Sequence, residues 1–268
     1  GTGAEDDGSG IAAMLEAARM LTHTGERPER TIRFCGFGAE EQLSEGSRVY
    51  VERHPDEADR TRLVVNLDSV AAITGRNQLM VVGPEGLVDV CRRMTTPGHQ
   101  RLREPLSEAA GTPPESTATR GGDIRKPEEA GHGTHSGVTA GTPSERGGVG
   151  QEFGRPQQVG HFRPEGEGVP VLSGEVMEHV SPFSDMFPFN ARGCPSVFLH
   201  RMNQAGTRYF HHSHLDDLQS ISSDVIATHA NAAAHLAHIA AFTAPPFARE
   251  IPEEQMREVR EMAEKYFG

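Results

Sequence analysis

Short apolar runs alternate along this chain with stretches of helical periodicity, and that alternation limits its folds more than any other feature. Ile11, Met14, Leu15, Ala18 and Leu21 recur at helical spacing, which predicts an amphipathic helix over about 9–21. The run TIRFCGFG (31–38), bounded by Pro28 and by Gly36 and Gly38, reads as a buried strand. LVVNLD (63–68), LMVV (79–82) and SVFL (196–199) read as three more strands, with helices expected over 45–54, 85–95, 222–242 and 253–266. Strands alternating with helices imply an α/β sandwich around a largely buried sheet. At 268 residues the chain suits one domain, 1–268, with room for an insertion.

Residues 107–170 break the pattern. They hold 14 Gly and 7 Pro but only seven large aliphatic or Phe side chains, a composition that cannot supply a core. The segment reads as a Gly/Pro-rich insertion or a disordered stretch.

Charge narrows function by exclusion. Lys plus Arg number 26 against 38 Asp plus Glu, a formal charge of −12, which argues against phosphate-backbone binding as the main task. No stretch approaches the ~20 apolar residues that a membrane span needs. Cys35, Cys91 and Cys194 are widely spaced and odd in number, so free thiols are the simplest reading. Neither compartment nor oligomeric state follows from the residues.

Four acidic or histidine motifs sit where a strand ends or a helix begins. They are GAEDDGSG (3–10) before the first helix, GAEE (38–41) after the first strand, NLD (66–68) ending the next, and HHSHLDD (211–217). In α/β sheets the carboxyl ends of strands face the ligand crevice, and gathered carboxylates and imidazoles are zinc ligands. Each motif also has a plain structural reading. Asp6 and Asp7 suit a helix N-terminus, Glu40 and Glu41 a solvated helix start, Asp68 a turn, and the histidines a surface run.

The four motifs in this order and spacing resemble the co-catalytic zinc aminopeptidases, relatives of the glutamate carboxypeptidases and glutaminyl cyclases. That family's string is GADDNASG, FxAEE, NxD, SDxxPF and HTxxDT. This chain reads GAEDDGSG, FGAEE, NLD, SDMFPF (184–189) and HSHLDD (212–217), so the likeness covers residues 1–96 and 177–242. The resemblance implies a mixed, largely parallel central sheet with helices on both faces. It implies Asp6 as a carboxylate bridging two zinc ions, Glu41 and His212 as ligands of one, and Asp68 as a ligand of the other. Glu40 takes the place of the general base. His211 stands where relatives carry a Tyr that stabilises the oxyanion. The family's remaining histidine ligand and first strands lie upstream of the acidic motif. Here only five residues precede Asp6, so the chain is read as N-terminally truncated. Two zinc ions are expected in the complete enzyme and one held tightly by this chain. The implied partner is a peptide substrate, with neither nucleic acid nor membrane. Glutaminyl cyclase or carboxypeptidase chemistry, and a non-catalytic pseudo-peptidase, are the competing readings.

Overall fold

The computed structural model describes residues 2–97, 171–202 and 210–268. These all fall within one compact unit, built from 1–100 and 159–268. The expected insertion at 107–170 lies outside the described residues.

Five expected helices form close to their predicted bounds: α1 (Ser9–His23), α2 (Glu45–Arg53), α4 (Glu85–Met94), α6 (Ser223–Ala241) and α7 (Glu253–Phe267). Two short ones, α3 (Pro55–Arg60) and α5 (Phe187–Ala191), were not foreseen. The strands are β1 (Val64–Leu67), β2 (Arg76–Val82), β3 (Thr95–Pro97), β4 (Leu172–Glu178) and β5 (Ser196–Met202). Their order in the sheet is β1-β5-β2-β4-β3. Three of the four pairings are parallel, and β2 with β5 is antiparallel. The sheet is therefore mixed and largely parallel, as the resemblance implied.

Period-two alternation assigns the two faces. Val65 and Leu67 of β1, Leu79 and Val81 of β2, and Val197 and Leu199 of β5 join one cluster with α1, α4 and α6. On α4 the buried side chains are Leu87, Val88, Val90, Cys91 and Met94, one apolar stripe at helical spacing. The α6 stripe is mostly alanine, so this helix lies close to Ala13 and Ala17 of α1. Val82 packs instead with Phe187 and with Val259 of α7, while Val64 packs with Phe189 and with Val51 of α2. Helices thus cover both faces. Burying a side chain such as Leu79 or Leu199, both fully shielded, stabilises the fold by about 1.5–3 kcal/mol.

One expectation fails. Residues 31–37 form no strand and pair with none among the described residues, and Phe34 remains 43% exposed. The physical reason is a missing neighbour: a cavity of about 670 Å³ separates this segment from β1. An apolar run forms a strand only where another backbone lies within hydrogen-bonding distance.

Candidate metal centre

The acidic motif folds as an irregular turn, Ala4–Gly8, in which Asp6 and Asp7 leave the helical region at φ/ψ of −118°/96° and −128°/38°. Gly3 opens it in the left-handed region (φ 67°), and the Gly8 N–H closes it on the Gly3 carbonyl at 2.8 Å. Asp216 holds the turn from outside. Its buried carboxylate accepts the Glu5 N–H at 2.6 Å and the Asp6 N–H at 3.1 Å. Gly10 lets the start of α1 meet the end of β1, because a Cβ there would lie 2.3 Å from the Leu67 carbonyl oxygen.

Around this turn the four motifs converge. His212 Nε2 lies 2.6 Å from Glu41 Oε1 and 3.1 Å from Asp6 Oδ2. His211 Nδ1 lies 3.3 Å from Asp6 Oδ2, and the two imidazoles stack with centroids 3.8 Å apart. Asp6, His211 and His212 form a compact three-residue group with ligand atoms close enough for one ion, with Glu41 adjoining through His212. His211 therefore also offers a ligand atom, in addition to the oxyanion role that its position implied.

Asp68 sits apart from that group. Its carboxylate accepts a hydrogen bond from Ser184 Oγ at 2.6 Å, and Ser184 in turn accepts one from Asn66 Nδ2 at 2.7 Å. Asp7 bridges the two ends, with Oδ1 accepting the Gly10 N–H at 3.0 Å and the Ser69 N–H at 3.2 Å. Residues 39, 69 and 212 all adopt positive φ (58°, 54° and 55°), each at or next to a motif carboxylate or imidazole. Such backbone strain concentrates at functional sites.

Electrostatics tests whether a cation suits this place. Burial, then the charge of Asp68, pushes the Asp6 carboxyl up to about 6. The same two causes, in the same order, push Asp7 up to about 8. Glu40 is pushed up to about 7 by burial, then by Asp68, Asp185, Glu41 and Asp6. Burial chiefly raises Asp185 as well. The carboxylate oxygens of Glu5 and one oxygen of Asp185 are buried and accept no hydrogen bond among the described residues. Mutually repelling, underbonded carboxylates beside two imidazoles are a donor set that a hard or borderline dication fits.

Sequence reasoning brought Asp6, Glu40, Glu41, Asp68, His211 and His212 to one region. It missed the holding roles of Asp216, Asp7 and Ser184. The DD pair at 216–217 and the SD pair at 184–185 were legible as motif letters, but their partners were not.

The fold is a mixed α/β sheet with helices on both faces. A solved peptidase M28 precursor from Shewanella amazonensis SB2B superposes with a TM-score of 0.56 at 18% identity, over 94% of this chain and 40% of that one. The model of Peptidase family M28 matches residues 1–119. Aminopeptidase YwaD of Bacillus subtilis is 44% identical over 69 residues, and rat carboxypeptidase Q 39% identical over 69. Those stretches cover 25% and 26% of this chain but only 15% of either relative. The chain thus resembles the M28 peptidases, in sequence through its N-terminal motifs and in fold through the described unit.

Proposed function

We propose that this chain forms the catalytic part of a zinc-dependent exopeptidase of aminopeptidase type. The observation that carries the reading is the convergence of four motifs distant in sequence on one charged cluster, Asp6, Glu40, Glu41, Asp68, His211 and His212. Asp6, Glu41 and His212 would hold one ion, and Asp6 with Asp68 would contribute to a second. Zinc supplies a polarised carbonyl and a water acidic enough to attack near neutral pH. Glu40 accepts the proton of that water and returns it to the departing amine. The His211 imidazole, beside Asp6, donates a hydrogen bond to the oxygen that gains charge. Ser184 and Asp216 keep Asp68 and the Asp6 turn in place.

The test is a pair of substitutions in the catalytically competent enzyme, assayed on aminoacyl and C-terminal model peptides. Glu40→Gln retains metal and loses roughly 10²–10⁴-fold in turnover, because an amide accepts no proton. Glu41→Ala loses metal. If Glu40→Gln strips metal while Glu41→Ala leaves it, the roles within the pair are reversed. Full hydrolysis after exhaustive chelation ends the reading.

A further inference from the structure

The carboxylate of Glu5 has no task in the proposed function, yet at 2% exposure Glu5 is the most buried acid among the described residues. A carboxylate taken out of water persists only beside a donor or a group of opposite charge. The partner that the fold brings to it is His211, whose Nδ1 lies 3.8 Å from Glu5 Oε2. The main chain holds the two in this relation. Asp216 accepts the Glu5 N–H at 2.6 Å, and the Ser9 hydroxyl donates to the Glu5 carbonyl at 2.7 Å. Asp216 belongs to the same segment as His211. Two turns, Ser213 N–H onto the Phe210 carbonyl at 3.1 Å and Asp216 N–H onto the Ser213 carbonyl at 3.2 Å, fix the spacing between them. Residues 210–216 therefore meet Glu5 twice, through Asp216 at its main chain and through His211 at its carboxylate. The stacked ring of His212 limits the tilt of the His211 imidazole from one face. Both positions also depart from the family's string. Where GADDNASG has an Asp before the bridging aspartate, this chain has the longer Glu5, and where relatives carry Tyr it has the shorter His211. The longer acid meets the shorter ring.

We infer that Glu5 is a positioning residue for His211: its buried carboxylate accepts the Nδ1–H of the imidazole and so aims the opposite nitrogen, Nε2, away from the acidic turn. Asp6 Oδ2 lies 3.3 Å from the same Nδ1, but Asp6 is assigned to the metal, so Glu5 is the acceptor kept for the ring. A buried carboxylate behind one ring nitrogen fixes the orientation of an imidazole and stabilises the imidazolium, whose far N–H is then the donor. The consequence for catalysis rests on the proposed oxyanion role of His211, whereas the pairing itself rests on geometry.

Nitrogen-resolved imidazole spectra of the whole chain with one equivalent of zinc test the pairing. His211 carries a proton on Nδ1, and Glu5→Gln moves the His211 signals while those of fully buried His229 stay in place. Glu5→Asp, which keeps the charge but withdraws it by one methylene, moves them as well. Urea unfolding supplies a double-mutant cycle. The effect of Glu5→Gln on the unfolding constant changes by at least about fivefold once His211→Phe has removed both ring nitrogens. In the catalytically competent enzyme, Glu5→Gln lowers kcat by roughly 10–100-fold and leaves KM and zinc content unchanged. Glu5→Asp combined with His211→Tyr, the pair in the family's string, regains most of what either change loses alone. His211 signals indifferent to both Glu5 substitutions, a His211 Nδ1 bound to zinc, or additive unfolding effects would overturn the inference. A parent enzyme without peptidase activity would end the peptidase reading, and the spectra and the unfolding cycle would still decide this one.

Discussion

The two sides of this sheet are built from similar apolar runs and end up in different states. On the β2–β5 side, Leu79, Val81, Val197 and Leu199 are fully buried, and each strand has a neighbour on both edges. On the β1 side, Val64, Val65 and Leu67 are half-buried, and residues 31–37, no less apolar in pattern, form no ladder among the described residues. An apolar run specifies a strand's wish for burial but does not provide the partner, and the difference lies entirely in what stands next to it. The charged cluster straddles this boundary. Its Asp6–Glu41–His212 end is drawn together by imidazole–carboxylate contacts, whereas its Asp68 end is held by Ser184 and Asn66 on the open side.

The largest stability difference is expected between equivalent truncations on the two sides. Leu199→Ala, in the closed side, costs about 2–5 kcal/mol through lost burial and the cavity left behind. Val65→Ala costs about 1 kcal/mol, because that side chain is already partly exposed. Urea unfolding of the two variants measures both, and equal losses would show that the β1 side packs as tightly as the β5 side.

A pH dependence sharpens the same contrast. His229 on α6 is fully buried, its Nδ1 lies 3.0 Å from the Val225 carbonyl, and Arg201 and His200 face it. Burial first, then those two neighbours, pushes it down to about 4 from an ordinary 6.5. The unfolded chain therefore binds a proton between those values that the folded chain refuses. The stabilising effect is complete above pH 6.5 and is lost as pH falls toward 4, by about 3 kcal/mol. The curve of wild type minus His229→Gln isolates this from the carboxyls, which titrate with the opposite sign. A flat difference curve would mean that solvent reaches the core beside α6.

Much of this was legible in the sequence, for identifiable reasons. Helices with a clear stripe, such as α4 and α1, were placed within two residues. β2 was seen only at Leu79–Val82, because its first half, Arg76-Asn77-Gln78, is polar and carries no strand signal. β4 was missed because Ser173, Gly174, Glu175 and Glu178 break the apolar run, and its place is fixed by pairing with β2 and β3. The site was readable as letters at Asp6, Glu40, Glu41, Asp68 and His212. The grip of Asp216 on the Asp6 turn, across 210 residues, is a tertiary fact that no local pattern encodes. The failed strand at 31–38 has the same cause, since its partner is not one of the described segments.

The most direct test of the account is zinc binding by the chain itself, read as metal retained through dialysis. One equivalent is expected to stay bound, lost in Glu41→Ala and His212→Ala and kept in Asp68→Ala, because only the Asp6 end gathers the three ligands that a firm protein site needs. Two equivalents retained, or metal lost in Asp68→Ala but kept in His212→Ala, would contradict it.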